Sequence, residues 1–195
     1  HNEFVAGTTY VETFNVSSVD GTPTSVTVRI LGTNDAPVAS AVSASGFEDP
    51  SARIAITLAG TDVDGSVASY RITTLPANGS LFAAATGGSA LAAGAVVTGP
   101  VYFVPTANSS GSTSFQYTST DNNGGVSPAA TATIVVAPVN DAPTLTGLGP
   151  TLNYVEANSA TVTRTIIDGA VVLGDIDSPN FGGGSLRVAI NNVVA

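Results

Sequence analysis

The chain has 195 residues, 43% hydrophobic and 10% charged, and its 14 acids against five bases leave a net charge of −9. Cys, Met, Trp and Lys are absent and His1 is the one histidine, which removes disulfides, thiolate metal sites, cysteine nucleophiles, lysine Schiff bases, His-based triads and any Lys–Asn isopeptide cross-link. Five scattered Arg under a net negative charge make no nucleic-acid patch, and no apolar run reaches the roughly 18–20 residues that span a bilayer.

No nucleophile–base pair can be drawn, so the chain is not expected to be an enzyme. His1 to Tyr10 lacks a basic segment followed by an apolar one, and so is not a signal peptide. The absence of Cys fits a secreted bacterial protein and a cytosolic one equally well.

Thr, Val, Ser, Ala and Gly dominate, a composition that disfavours helices and suits strands. In chain order, alternation of apolar and polar residues predicts strands over Ser25–Ile30, Arg53–Leu58, Thr113–Thr118 and Thr131–Val136. Turn chemistry punctuates them at Asp20-Gly21, Asp64-Gly65, Asn78-Gly79 and Asn123-Gly124-Gly125. The Ala-rich stretch Phe82–Val97 is broken by Gly87, Gly88 and Gly94, which favours a loop with a short strand over a helix. Short strands at this spacing argue for a β-sandwich.

An internal repeat is the most informative feature. Asn34-Asp35-Ala36-Pro37 recurs 106 residues later as Asn140-Asp141-Ala142-Pro143. Phe47-Glu48-Asp49-Pro50-Ser51 is echoed by Val155-Glu156-Ala157-Asn158-Ser159, and Asp62-Val63-Asp64-Gly65 by Asp175-Ile176-Asp177-Ser178. Phe14-Asn15-Val16-Ser17 through Asp20 matches Phe115-Gln116-Tyr117-Thr118 through Asp121. The expected organisation is therefore three pieces of a tandem array. Residues 1–33 are the closing strands of one sandwich, 34–37 a linker, and 38–139 a complete sandwich. Residues 140–143 form a second linker, and 144–195 the opening strands of a third domain. Such a chain reads as an excerpt of something longer.

The repeated Asn-Asp-Ala-Pro linker, Glu48-Asp49, Asp62-Val63-Asp64-Gly65, Leu75-Pro76-Ala77-Asn78-Gly79-Ser80-Leu81 and Val101-Tyr102-Phe103-Val104-Pro105 resemble the bacterial cadherin-like tandem repeats of giant adhesins. Residues 8–37 resemble the end of a VCBS-type repeat. The resemblance implies an all-β fold of tandem immunoglobulin-like, Greek-key β-sandwiches. It also implies a calcium-dependent protein of the bacterial cell surface, exported by a type I system in the manner of RTX adhesins. The Gly-Asp nonapeptides of RTX β-rolls are absent, and Gly182-Gly183-Gly184 is not one.

Strand direction alternates in such a sandwich, so it predicts which acids share an end. A strand of about ten residues after Pro37 descends to Glu48 and Asp49. The next climbs back, returning Asp62 and Asp64 to the linker, and the loop bearing Asp121 lies at the same end. An upper junction then gathers Asn34, Asp35, Asp62, Asp64 and Asp121. A lower one gathers Glu48, Asp49, Asn140, Asp141, Asp175 and Asp177. Carboxylates converging without a base repel one another, and a hard cation with six to eight oxygen ligands resolves that repulsion. Mg²⁺ prefers a tighter octahedron, and transition metals recruit His or Cys. The expectation is Ca²⁺ at the interdomain junctions.

Competing readings are weaker. Asp and Asn are ordinary turn formers, and Asp168 beside Gly169 is read as a turn residue. Asp49-Pro50 is read as a tight turn, not a processing site. Glu48 and Asp49 are adjacent, so a strand would point them to opposite faces and not at one glycosidic bond. Tyr70, Tyr102, Phe103, Phe115 and Tyr117 are read as core, not as a carbohydrate platform. The leading function is an extender whose partners are neighbouring repeats of the same chain, with glycans or other cells bound by regions outside this stretch in adhesion or biofilm formation. The alternatives are a glycan- or partner-binding repeat, or a laterally self-associating filament or surface-layer subunit.

Overall fold

Apolar–polar alternation marks the longer strands, and the computed structural model describes residues 4–147 and 171–177. The chain divides into two units, 1–139 and 140–195. The first begins with a hairpin of β1 (Thr9–Ser17) and β2 (Pro23–Leu31), joined through Asp20-Gly21. Gly21 takes φ +83° there, and Asp20 accepts hydrogen bonds from the Ser18 hydroxyl and the Thr22 N–H.

Then follow β3 (Val38–Ser40), β4 (Val42–Phe47), β5 (Ile54–Ile56), β6 (Ala59–Thr61), β7 (Val67–Ile72), β8 (Gly79–Phe82), β9 (Val96–Val97), β10 (Val101–Pro105), β11 (Gly111–Asp121) and β12 (Ala130–Ala137). They form a five-stranded sheet β4-β12-β11-β7-β9, a three-stranded sheet β5-β10-β8 and a short pair β3-β6. The segment between Phe82 and Val96 is a loop ending in the two-residue β9, as its glycines predict. In the second unit, β13 (Thr144–Thr146) pairs with β14 (Val172–Gly174).

The sandwich core lies between the sheets. Ile56, Ile72, Leu81, Val101, Phe103, Phe115, Tyr117 and Ile134 are almost wholly excluded from water. Each such side chain contributes about 1.5–3 kcal/mol through burial. On β12 the alternation is direct: Ala132, Ile134 and Val136 point inward while Thr131 and Val135 face out. Of the five aromatics expected inside, Phe103, Phe115 and Tyr117 are buried, and Tyr70 and Tyr102 are half-buried.

Two strands differ from expectation. The run after Pro37 breaks at Ala41: β3 pairs antiparallel with β6, whereas β4 crosses over and pairs parallel with β12. The predicted strand Arg53–Leu58 is also cut short to β5, and a separate strand, β6, begins at Ala59 just beyond its predicted end. One phenol holds both breaks. The Tyr117 hydroxyl donates to the Ser40 carbonyl and accepts the Ala59 N–H at 3.1 Å, with the Ala59 carbonyl 3.0 Å away. A buried Tyr requires such partners, because an unpaired hydroxyl costs about 1–3 kcal/mol.

Candidate functional site

The β3–β6 register places Val38 opposite Thr61. Residues just before Val38 therefore lie beside residues just after Thr61, and the Asp35 N–H donates to Asp64 Oδ1 at 3.3 Å. β11 ends at the same pole after a register shift between Thr120 and Asp121. There Asn34 Nδ2 donates to Asp121 Oδ2 at 2.9 Å. The sandwich thus brings together Asn34, Asp35, Asp62, Asp64 and Asp121.

Close packing over this pole demands glycine twice. A Cβ on Gly65 would stand 2.5 Å from Asn122 Oδ1 and 2.7 Å from Asp62 Oδ2. One on Gly125 would stand 2.4 Å from Asp121 Oδ2 and 2.7 Å from Asn34 Nδ2.

The acids at this pole are not alike. Asp121 is satisfied: its Oδ1 accepts the N–H groups of Asn123 and Gly125, both at 2.8 Å, while its Oδ2 holds Asn34. The Asn34 amide, helped by these backbone donors, holds the Asp121 carboxyl below the usual carboxylate range despite its burial. Asp62 moves the other way. Burial, then the charges of Asp64 and Asp121, push its carboxyl above that range. Both Asp62 oxygens and Asp64 Oδ2 are enclosed without a well-formed hydrogen bond, although the Asp64 and Val63 N–H groups offset part of the rise at Asp62, and Asp64 is only 6% exposed. Among the described residues, no group of three or more His, Cys, Asp or Glu side chains is placed to hold a metal ion. The orphaned oxygens belong to the Asp62/Asp64 pair, and Asp121 serves as a brace.

At the opposite end of the sandwich, Glu48 and Asp49 diverge as neighbours after a strand should. Asp49 is exposed, and Glu48 is buried. The Glu48 N–H donates to the Ala137 carbonyl at 3.0 Å, and its Oε1 accepts the Val139 N–H at 2.7 Å. Glu48 thereby closes the end of β12.

The second unit repeats the upper motif on its own residues. The Asp141 N–H donates to Asp177 Oδ2, as Asp35 does to Asp64. The Asp177 N–H donates to Asp175 Oδ1 at 3.0 Å, and Asn140 Nδ2 to the Asp141 carbonyl at 2.9 Å. Glu156 and Asp168 lie outside the described residues, as does most of the predicted third domain.

Sequence reasoning missed Asn122. Its Oδ1 accepts the Ser66 N–H at 2.8 Å and so closes the Asp62–Ser66 loop against the end of β11. The Asn122-Asn123-Gly124-Gly125 run carries only a turn signal, and the pairing of β7 with β11 is what brings Ser66 within reach.

A bacterial Ig domain profile matches residues 34–137, which begin at the linker and end with β12. The chain belongs to the bacterial Ig domain family. This bacterial Ig domain thus contains both the sandwich and the Asn34–Pro37 linker that completes the acidic pole. Membership fixes the class, an Ig-like repeat module of bacteria, and not the narrower cadherin-like or VCBS-type assignment. Among solved structures the chain is similar to the fibronectin(III)-like modules of Clostridium thermocellum CbhA, at 15% identity and a TM-score of 0.31. That match covers 69% of this chain and 65% of the other, so the chain spans about two thirds of its length. No curated protein matches the chain. No helix among the described residues is long and apolar enough to cross a membrane.

Proposed function

We propose that these bacterial Ig repeats are calcium-stiffened extenders of an extracellular bacterial surface protein, an adhesin of the cadherin-like and VCBS-type class. They hold a distal binding region away from the cell. The observation that carries this reading is the set of enclosed oxygens on Asp62 and Asp64 that lack a well-formed hydrogen bond, set directly against the linker. The donors suit a hard divalent cation: all are oxygens, and the sequence has no Cys and a single His, at position 1, to recruit a softer metal. Asp62 and Asp64 would hold the ion, with Asp35 tied to Asp64 and Asn34 tied to Asp121 on the linker side. Asp175 and Asp177 would serve the second unit in the same way.

A bound ion neutralises carboxylates that otherwise repel, and it does so where the chain leaves one domain for the next. Fixing the linker costs about 4–8 kcal/mol at ~1–2 per residue. Ca²⁺ at a hundred times its Kd contributes about 2.7 kcal/mol per site, and Pro37 and Pro143 lower the initial cost. Calcium titration of the full chain, followed by calorimetry and thermal unfolding, tests this. Binding in the ~0.1–1 mM range of extracellular modules is expected. It should raise Tm and disappear in the Asp62→Asn/Asp64→Asn double variant. No calcium-dependent rise in Tm, or a rise that survives the double substitution, removes the reading. Small-angle scattering tests the extender role separately: EDTA should shorten or bend the chain.

A further inference from the structure

The β1–β2 hairpin repeats the last two strands of the sandwich in register. Phe14 pairs with Val26 as Phe115 pairs with Ala132, and Glu12 with Val28 as Thr113 with Ile134. Tyr10 pairs with Ile30 as Gly111 with Val136, and Val16 with Thr24 as Tyr117 with Ala130. The correspondence extends into the turn before the strand. Thr8 N–H bonds the Val5 carbonyl at 3.1 Å as Ser109 N–H bonds the Thr106 carbonyl at 3.2 Å. Gly7 and Asn108, at the matching position of each turn, both take positive φ.

Register fixes the faces, since a strand's side chains alternate. One face of the hairpin carries Phe14, Val16, Val26, Val28 and Ile30 together with Tyr10 and Glu12, and the other carries Thr13 and Thr27 with their hydroxyls 3.4 Å apart. Burial is what distinguishes the two pairs of strands. Phe115, Tyr117, Ala132 and Ile134 are at most 1% exposed under the β5-β10-β8 sheet, whereas Phe14, Val16, Val26 and Val28 are 40–51% exposed. A lone two-stranded ribbon with such a face is marginally stable in water.

We infer that the Phe14–Val28 face of β1–β2 is a docking surface for the covering half of a second bacterial Ig sandwich. Its occupant is a segment equivalent to residues 38–105, which bring a sheet like β5-β10-β8 onto the face and strands like β4 and β7 to its edges. The register match specifies that occupant, because β11–β12 with the same pairing take that segment and no other. The inference is independent of the calcium reading.

The test joins residues 38–105 directly to Val5 of the chain, at the position where Thr106 follows Pro105 in the sandwich. Hydrogen exchange of amides 10–30 should slow by about a hundredfold or more relative to the unextended chain. In the fused chain Phe14→Ala should lower stability as Phe115→Ala does. In the unextended chain it should leave unfolding of the sandwich unchanged. Exchange that stays fast in a folded fusion overturns the inference. Should the fusion fail to fold, the unextended chain decides alone. Amides 10–30 exchanging about a hundredfold faster than those of β11 and β12, at every protein concentration, support the inference. Protection equal to β11–β12, or protection that rises with concentration alongside a dimer in ultracentrifugation, assigns the face to the chain itself or to a second copy and overturns it.

Discussion

The sandwich buries carboxylates at both ends, and the two ends treat them in opposite ways. Glu48 is 3% exposed and spends an oxygen on the Val139 N–H, so its charge closes a strand end. Asp64 is 6% exposed, and beside it Asp62 keeps both oxygens enclosed without a well-formed hydrogen bond, the Val63 and Asp64 N–H groups only partly offsetting its burial. Burial alone therefore does not distinguish the two ends; the supply of hydrogen-bond donors does. The same contrast separates Asp121 from Asp62 within one pole, since three hydrogen bonds make the former a brace.

The largest expected effect tests whether the two ends differ as described. With Ca²⁺ at a hundredfold excess over its Kd, the Asp62→Asn/Asp64→Asn variant should lose the calcium-dependent gain, about 2.7 kcal/mol, in chemical unfolding. Glu48→Gln should retain it. A calcium response that Glu48→Gln abolishes, with the double variant unaffected, would invert the assignment. Next comes Glu48→Ala, which leaves the Val139 N–H without its carboxylate. It should cost about 1–3 kcal/mol whether calcium or EDTA is present.

Acidity sharpens the contrast further. Asp62 is raised in the fold, so between the unfolded carboxylate value and its folded one the native state binds more protons, and stability falls as pH rises. Asp121 is lowered, so its contribution is present above the unfolded value and is lost as pH falls through its folded value. In EDTA, stability should accordingly rise as pH drops from neutral toward the ordinary carboxylate range and then fall below it. Asp62→Asn should flatten the first limb and keep the second. The smallest effect is local: Asn34→Ala should raise the Asp121 titration midpoint by NMR, because it removes the main donor that lowers it.

Much of the fold was legible as alternation and turn chemistry. Ser25–Ile30, Thr113–Thr118 and Thr131–Val136 lie inside the observed strands, and reversal of strand direction suffices to return Asp62, Asp64 and Asp121 to Asn34. The breaks at Ala41 and after Ile56 were not legible. Alternation reports which face a residue takes and not which strand lies beside it, so a segment that changes sheets reads as one continuous strand. The role of Asp121 was hidden for a related reason. Its donors are backbone N–H groups of the following loop, which exist in every sequence and leave no residue-type signal.

The crossing of the first strand also has a mechanical consequence. β4 follows the leading linker closely, β12 precedes the Asn140 linker, and they run parallel through six residue pairs from Val42–Ala132 to Phe47–Ala137. Tension applied through the two linkers pulls parallel neighbours in opposite directions along their length. The rungs between them are loaded in shear and share the force together, where an antiparallel end-to-end pairing would let them peel apart singly. An extender built from such domains resists stretching at the point where its chain enters and leaves each one.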